Sequence, residues 1–377
     1  MLNFLKKYDL YLLALLMYLP FIFLGYGSDM DTYRVLWTGK RFITLFDYVP
    51  SRPPGFLVFE TITNLLNQLG GSLLTNLGVL AMSLVILYSY QRILKYYAIP
   101  HARLLVLSLM VLPWYWAAST CTMDYCYALG FSLLAFVLLL DGKGAWAGIA
   151  IGLAIGSRIS AGITCAGIWL FLMLSNKPLR RQLWICALAA GLVGILVYVP
   201  SADFKGWNLS FLKPAVGGSE YWSLFLRAGR FFYKSLTFWS IPVVAVIIGV
   251  LVYGLTRLKL IRQSVWAQVA LFSLMMVLAY EAFYFYIPTE PTYLLPGVPF
   301  MLILLGIILK DKRRVLVLIF GLLLVSNFVT IEFARPNLVN KATAAEYGFW
   351  VTPGHLVEDV QARTDLAVNR FQYEPSE

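Results

Sequence analysis

The chain has 377 residues, of which 60% are hydrophobic and 13% are charged, and its mean hydropathy is +0.74. Soluble domains are about 45–50% apolar and roughly 25% charged, so this composition excludes a soluble enzyme and indicates an all-α polytopic membrane protein. The formal net charge of +11 does not indicate nucleic-acid binding, because the Lys and Arg of such proteins collect in cytoplasmic loops. With only two histidines, a histidine-based metal centre or triad is also excluded.

Apolar segments that are long enough, or nearly long enough, to cross a membrane recur along the chain. A span needs about 20 apolar residues, and by this measure we predict about eleven transmembrane helices. The first is expected to be a retained helix, because no small-residue cleavage site follows it. The candidates lie near residues 8–26, 72–91, 103–119, 124–140, 145–157, 159–175, 183–200, 236–256, 265–286, 293–310 and 315–331.

Basic clusters predict the orientation of these spans. With about eleven spans, every cluster falls on the side of the N-terminus, which predicts an N-in, C-out arrangement. We therefore expect one transmembrane domain over residues 1–331, a first extracytoplasmic loop over 27–71, a large aromatic extracytoplasmic loop over 201–235 and a short extracytoplasmic tail over 332–377. The expected location is a bacterial inner membrane, with the site facing the periplasm.

The first outer loop has the pattern of helices that lie on the membrane surface. Residues 56–69 carry apolar side chains at helical spacing, interrupted by polar ones, which predicts an amphipathic helix. Residues 31–46 predict a second helix of this kind. Residues 53–55, Pro-Pro-Gly, separate the two and favour a new helix start.

Five charged residues converge on the predicted outer face. Asp29 and Asp31 follow the first span, Arg52 lies among prolines, Asp124 precedes the fourth span, and Arg158 ends a glycine-rich span. Charges at a membrane edge are costly to dehydrate and therefore indicate a ligand site. Structural alternatives stay open: the two aspartates Asp29 and Asp124 as helix caps, Arg158 as a side chain that reaches to the interface, and Arg52 as an ordinary loop charge.

These residue types together indicate a phosphate-containing substrate. Arginine suits bidentate recognition of phosphate, and a carboxylate suits the removal of a proton from an acceptor hydroxyl. A lipid-linked sugar phosphate fits both, with an Arg phosphate clamp on the leaving group and an Asp general base. Attack in a single step would invert the anomeric configuration.

The same residues, taken in order, resemble the GT-C superfamily of membrane glycosyltransferases, with the protein mannosyltransferase and aminoarabinose transferase branches nearest in layout. An acidic motif of the form Asp-acid-x-x-Tyr follows span one in that family. Here it corresponds to Asp29-Met30-Asp31-Thr32-Tyr33, with Met30 where a second acid is common. The choice between Asp29 and Asp31 as the base stays open, with Asp29 favoured because Tyr33 lies four residues on.

Three further features belong to the resemblance. Asp124 matches an acid of the second outer loop, and Gly152–Arg158 resembles a short glycine-rich span that contacts the lipid phosphate. A late motif, Thr292-Tyr293-Leu294-Leu295-Pro296, has Thr292 in place of a basic residue. The resemblance implies that the catalytic residues are Asp29 and Asp31, and that the substrate is bound by Tyr33, Arg52, Asp124, Arg158, Glu290 and Tyr293.

The resemblance implies transfer of a sugar from a polyprenyl-phosphate donor to a lipid, glycan or peptide acceptor, among membrane lipids and without nucleic acid. No cofactor is required, although Asp29, Asp31 and Asp124 leave open a Mg²⁺ or Mn²⁺ ion. Two other classes stay open: a polyprenyl-lipid transporter or flippase, and a non-catalytic lipid-binding subunit. Of the four cysteines, Cys121 and Cys126 lie near an outer turn, where a disulfide also stays open.

Overall fold

Helices make up most of the structure, a computed structural model that describes residues 2–45, 47–207, 222–336 and 345–368. Contacts divide the chain into two compact units. The first contains Met1–Ile93, Ala117–Ala215 and Asp359–Glu377, and the second contains Leu94–Trp116 and Val216–Glu358. The five charged residues on which the sequence analysis centres all belong to the first unit.

The helices and strands follow one another in a simple order. The helices are α1 (Leu2–Tyr18), α2 (Met30–Leu45), α3 (Leu57–Tyr96), α4 (Ala102–Met110), α5 (Pro113–Ala118), α6 (Tyr125–Leu140), α7 (Gly144–Ser157), α8 (Ala161–Ser175), α9 (Arg180–Phe204), α10 (Leu224–Trp239), α11 (Ile241–Thr256), α12 (Leu258–Arg262), α13 (Ala267–Tyr286), α14 (Val298–Ile308), α15 (Arg313–Val325) and α16 (His355–Val368). The strands β1 (Val329–Pro336) and β2 (Ala345–Pro353) lie between α15 and α16. Short 3-10 helices at Leu19–Phe23, Lys177–Leu179 and Pro291–Gly297 complete the order.

Glycine spacing explains the close packing of α7 on α9 in the first unit. Gly148, Gly152 and Gly156 recur every fourth residue and share one face of α7, where small residues let two helix backbones approach. A Cβ on Gly148 would lie 2.4 Å from the carbonyl oxygen of Cys186, and one on Gly152 would lie 2.4 Å from Val193 Cγ1. The glycines that precede Arg158 therefore let α7 pack closely against α9.

The second unit is built around α13 and α14, with α4 packed on α14 and α15. Asn327, directly after α15, donates from its side-chain amide to the carbonyl of Val111 at 2.7 Å. The hairpin of β1 and β2 contacts α10 and α11 through β1. These contacts give this unit its own apolar core.

Fewer helices than predicted are long and apolar enough to cross a membrane on their own. Within the described ranges there are four: Leu57–Tyr96, Lys177–Phe204, Ala267–Tyr286 and Pro291–Ile308. A fifth crossing results if α10 and α11, which bend by 98° at their junction, form one broken span. Other predicted spans correspond to apolar helices of 10–17 residues. The count of about eleven and the N-in, C-out orientation stay predictions.

The two segments that were predicted as surface helices are helical, and their position at a membrane surface stays a prediction. Helix α2 matches the prediction over 31–46, and α3 has non-helical dihedral angles at Gly70 and Gly71, so that residues 57–69 form a helix of their own. In the large aromatic loop, α9 continues to Phe204 and α10 begins after Ser223, whose hydroxyl accepts from the Leu226 N–H at 3.2 Å. Residues 208–221 of that loop lie outside the described part of the chain.

Two expectations about local structure were wrong. The predicted span over 103–119 is broken, because Pro113 cannot continue a helix, and α4 and α5 lie on either side of the break. In the predicted span over 315–331 the helix ends at Val325, and β1 begins at Val329. One hairpin accompanies the predicted all-α fold: β1 and β2 pair antiparallel, from Val329 opposite Pro353 onward. β-branched and aromatic residues favour strands in this hairpin.

Candidate active site

Four of the predicted site residues form one chain of alternating charges in the first unit. Asp31 contacts Arg52, and the Arg52 Nη2 atom lies 3.6 Å from Asp124 Oδ2. The Nη1 atom of Arg158 then donates to both oxygens of Asp124, at 2.9 and 2.8 Å. The order is Asp31, Arg52, Asp124, Arg158, and it joins four separate segments of the chain.

The four side chains of this chain of charges differ in burial, and Asp124 is the most buried. The exposed fraction of the side chain is 25% for Asp31, 13% for Arg52, 10% for Arg158 and 0% for Asp124. Buried charges are costly unless they are paired, so Asp124 and Arg158 depend on each other. Arg158 therefore pairs inside the fold with Asp124. Asp124 occupies the residue before α6 but makes no capping hydrogen bond with any described residue, so the capping alternative for Asp124 was wrong.

An aromatic ring contacts the guanidinium group of each of the two arginines. The guanidinium carbon of Arg158 lies 4.3 Å from the ring centre of Tyr125, and that of Arg52 lies 4.6 Å from the ring centre of Phe56. Such contacts favour a cation. Burial lowers the pKa of Arg52, but the charges of Asp124 and Asp31 outweigh it, and the net pKa is raised. Arg52 stays protonated in this setting.

Asp29 and Asp31 differ in their partners, although they are two residues apart. The carboxylate of Asp29 accepts from the backbone N–H of Asp31 at 2.8 Å and so caps α2. The capping alternative for Asp29 is thus confirmed. Burial raises the pKa of Asp29, and the nearby negative charges of Asp31 and Asp124 raise it further. Asp31, in contrast, contacts Arg52 and also accepts from Arg34 at 3.1 Å.

A buried polar network fixes the backbone on which these residues lie. The side-chain amide of Asn76 donates to the carbonyl of Gly25 at 2.7 Å, and the hydroxyl of Thr122 donates to Asn76 at 2.8 Å. The N–H of Thr122 donates to the carbonyl of Tyr26 at 2.6 Å, and the Thr32 hydroxyl donates to the Thr122 carbonyl at 3.0 Å. The segment before Asp29 and the turn before Asp124 are therefore tied to each other.

The loop that carries Arg52 is held by a buried carboxylate. Glu60 is 1% exposed and accepts from the Tyr48 hydroxyl at 2.6 Å and from the Ser51 N–H at 2.9 Å. The loop is thus closed onto α3 at two points on the N-terminal side of Arg52. Sequence reasoning treated Glu60 as a polar interruption of a surface helix and missed this role. Asn76 was missed as well, although an asparagine inside a predicted span is itself a signal of a polar contact.

The remaining predicted residues do not join the chain of charges. Tyr33 lies half-buried on α2, with its ring 6.4 Å from that of Tyr26. Glu290 and Tyr293 belong to the second unit, where the Tyr293 ring lies 6.1 Å from that of Phe283. The structure brings together the two arginines and two of the three aspartates. The roles of Tyr33, Glu290 and Tyr293 stay predictions.

Neither a metal group nor a disulfide is present in the described part of the chain. No three His, Cys, Asp or Glu side chains within it are placed to hold a metal ion, and this includes Asp29, Asp31 and Asp124. Asp31 and Asp124 each contact arginine instead. Cys121 and Cys126 are free and buried, so the disulfide alternative was wrong.

Comparison of folds gives a clear match to solved structures. ArnT from Cupriavidus metallidurans, in a structure bound to undecaprenyl phosphate, superposes with a TM-score of 0.57 over 81% of this chain, at 14% sequence identity. The apo state of ArnT gives a TM-score of 0.58 over 83% of this chain, also at 14% identity.

These matches concern the fold alone. This chain spans 60% of the length of the ArnT chain. No protein-family model matches the chain, and no curated protein matches it in sequence. Over about four fifths of its length the chain therefore shares the fold of ArnT.

Proposed function

We propose that this chain is a membrane glycosyltransferase that moves a sugar from a polyprenyl-phosphate donor to an acceptor on the extracytoplasmic face. One observation carries the proposal: two arginines and two aspartates form a buried chain of charges, in a fold shared with a protein whose structure holds undecaprenyl phosphate. The acceptor is a lipid, glycan or peptide that presents a nucleophile.

In the proposed reaction, an acceptor oxygen forms a bond to the anomeric carbon of the sugar as the bond from that carbon to the phosphate oxygen breaks. The phosphate leaves with the electron pair as polyprenyl phosphate, and the acceptor proton passes to a carboxylate of the protein. Attack on the face opposite the phosphate inverts the anomeric configuration. We assign these steps to Arg52 and Arg158 of the chain of charges and to the neighbouring Asp29.

Arg52 and Arg158 are assigned to the phosphate. The donor phosphate is a diester with one negative charge, and the leaving phosphate is a monoester that gains a second. A cation at this position therefore interacts more strongly with the transition state than with the bound donor, which is the condition for catalysis. Arg52 is the more exposed of the two and is the one that we place against the phosphate.

Asp29 is assigned as the general base. Asp31 already contacts two arginines, Arg34 and Arg52, so both of its carboxylate oxygens are engaged in ion pairs. Burial raises the pKa of Asp29, and a base works best when its pKa lies nearer the working pH. Asp31 is then the residue that holds Arg52. No metal is needed in this scheme, because the arginines neutralise the phosphate.

The test is turnover by the full-length protein in lipid nanodiscs. Polyprenyl phosphates that carry different radiolabelled sugars serve as donors, and release of polyprenyl phosphate is measured with and without EDTA. We expect Asp29→Asn to lower the rate by about 100-fold or more, within the range of general-base contributions, while polyprenyl phosphate still binds. Arg92→Gln, which removes an exposed ion pair with Asp141, is the matched control.

Two results would contradict the proposal. Full turnover by Asp29→Asn would remove the assigned base. Movement of intact donor across the bilayer without release of the sugar would favour the transporter alternative. A loss of turnover in EDTA that added Mg²⁺ restores would contradict the metal-free scheme alone.

A further inference from the structure

The C-terminal helix places a buried arginine in the first unit. Arg363 on α16 is 1% exposed and is the largest of the fully buried side chains. Asp359, one turn earlier, forms an ion pair with it, with 2.7 Å between Nη2 and Oδ2. A buried arginine is costly unless hydrogen bonds satisfy it, so its partners show what it holds.

Arg363 donates to two segments that are far apart in the sequence. Its Nη1 atom donates to the carbonyl of Phe21 at 3.2 Å and to that of Thr120 at 3.1 Å. Its Nη2 atom lies 3.3 Å from the Thr120 hydroxyl and 3.5 Å from the carbonyl of Ala117. Phe21 lies in the turn that ends the first helix, and Thr120 lies four residues before Asp124.

The partner of Arg363 reaches the other side of the same site. The hydroxyl of Ser28 donates to Asp359 Oδ1 at 3.2 Å, and Ser28 directly precedes Asp29. One ion pair on the C-terminal helix therefore contacts both the segment that carries the proposed base and the turn that leads to Asp124.

We propose that Arg363, with Asp359, is a positioning residue of this site, which fixes the Ser28–Asp29 segment against the Thr120–Asp124 turn. The inference rests on the proposed function and deepens it, because it makes α16 part of the active site. The base and the phosphate-binding group must keep a fixed separation, because a displacement of about 1 Å can lower a rate by about 100-fold. In the sequence, the residues of α16 belonged only to the predicted short tail over 332–377.

The first arm of the test separates positioning from binding in full-length protein in nanodiscs. Arg363→Gln removes the charge, and Arg363→Lys keeps a cation beside Asp359 but cannot reach the same set of carbonyls. We expect the Gln variant to lower kcat by about 10- to 100-fold, with the Kd for polyprenyl phosphate unchanged within about twofold, and the Lys variant to fall between it and wild type. Arg92→Gln, which disrupts another Arg–Asp pair, should match wild type.

The second arm does not depend on turnover, and it uses a native thiol as the reporter. Cys121 is buried, directly after Thr120, and burial raises the pKa of its thiol to about 12. A maleimide should leave Cys121 unlabelled in wild type and label it in Arg363→Gln, while Cys126, Cys165 and Cys186 stay unlabelled. Peptide mass spectrometry identifies the labelled site.

The outcomes are distinct. An unchanged kcat in Arg363→Gln, or no labelling of Cys121, would overturn the inference. Labelling of all four cysteines would also overturn it, because Arg363 would then support the whole fold and not the site. If wild type shows no sugar transfer with any donor while Cys121 labels selectively in the variant, the proposed function fails and the positioning of the two segments stands.

Discussion

Replacing Asp124 by Asn tests the chain of charges through its most buried member. Asp124 is fully buried, accepts from Arg158 at 2.8 and 2.9 Å, and lies 3.6 Å from Arg52. Asp124→Asn removes the negative charge between two cations, and breaking a buried pair in this way costs about 3–5 kcal/mol of the free energy of unfolding. Arg52 keeps its contact with Asp31, so most of the cost arises at Arg158.

Replacing Arg158 should lower the free energy of unfolding less than replacing Asp124, because Asp124 keeps a second arginine nearby. In Arg158→Gln the carboxylate of Asp124 keeps Arg52 at 3.6 Å as a counter-charge, which limits the loss to about 1–3 kcal/mol. The double variant buries neither charge. We therefore expect its loss to be smaller than the sum of the two single losses, by about 1–3 kcal/mol.

The assay is reversible unfolding of the four proteins in mixed micelles, followed by tryptophan fluorescence. Arg92→Gln is the control, because its ion pair with Asp141 is exposed and should contribute about 1 kcal/mol or less. Strict additivity of the two single losses would refute the reasoning, since it would mean that Asp124 and Arg158 do not stabilise each other. A larger loss of unfolding free energy for Arg158→Gln than for Asp124→Asn would show that Arg52 does not act as a second counter-charge to Asp124.

Three further predictions follow from single residues. Burial raises the pKa of Asp29, and a base must be ionised to act. We therefore expect kcat/KM to rise with pH through an apparent pKa above the usual aspartate value of about 3.9, and a rise at that usual value would contradict the assignment. Gly148→Ala places a Cβ 2.4 Å from a backbone oxygen and should lower the thermal unfolding midpoint, with a loss of about 1–3 kcal/mol, whereas Gly162→Ala, with nothing within 4 Å, should not lower it. Burial raises the pKa of Glu332 to about 7, above the unfolded value of about 4.3. The folded state therefore binds this proton up to a higher pH, and the free energy of unfolding should fall as pH rises from about 4 to 7. Glu332→Gln should remove that part of the fall, as measured by denaturation at several pH values.

Most residues of the candidate site could be identified from the sequence, because charged residues are rare in this chain. Only 13% of the residues are charged, so Asp29, Arg52 and Arg158 beside apolar segments were conspicuous. Their pairing was not predictable. Arg158 contacts a residue 34 positions away and Arg52 one 21 positions away, and such contacts depend on how helices pack. Arg363 was missed for the same reason, because its partner Thr120 is 243 positions away.

The positions of most helices were predictable, and their ends were less so. Apolar runs identify a buried segment, but in a short run the helical and extended forms look alike. Residues 315–331 are mostly apolar, yet α15 ends at Val325 and β1 starts at Val329. The pairing of β1 with β2 supplies hydrogen bonds that only the tertiary structure reveals. The break at Pro113, in contrast, had a local signal in the sequence.

The contacts of Arg52 bear on how the proposed site would discriminate between donor and leaving group. Arg52 lies between Asp31 and Asp124, and Asp31 is the most exposed of the four residues in the chain of charges. A phosphate that approaches Arg52 must compete with the Asp31 carboxylate, which carries one negative charge. A donor diester, with one charge, competes on equal terms, while a leaving phosphate that gains a second charge competes better. The aspartate would thus weaken the binding of the donor more than that of the transition state, and differential binding of this kind lowers the barrier.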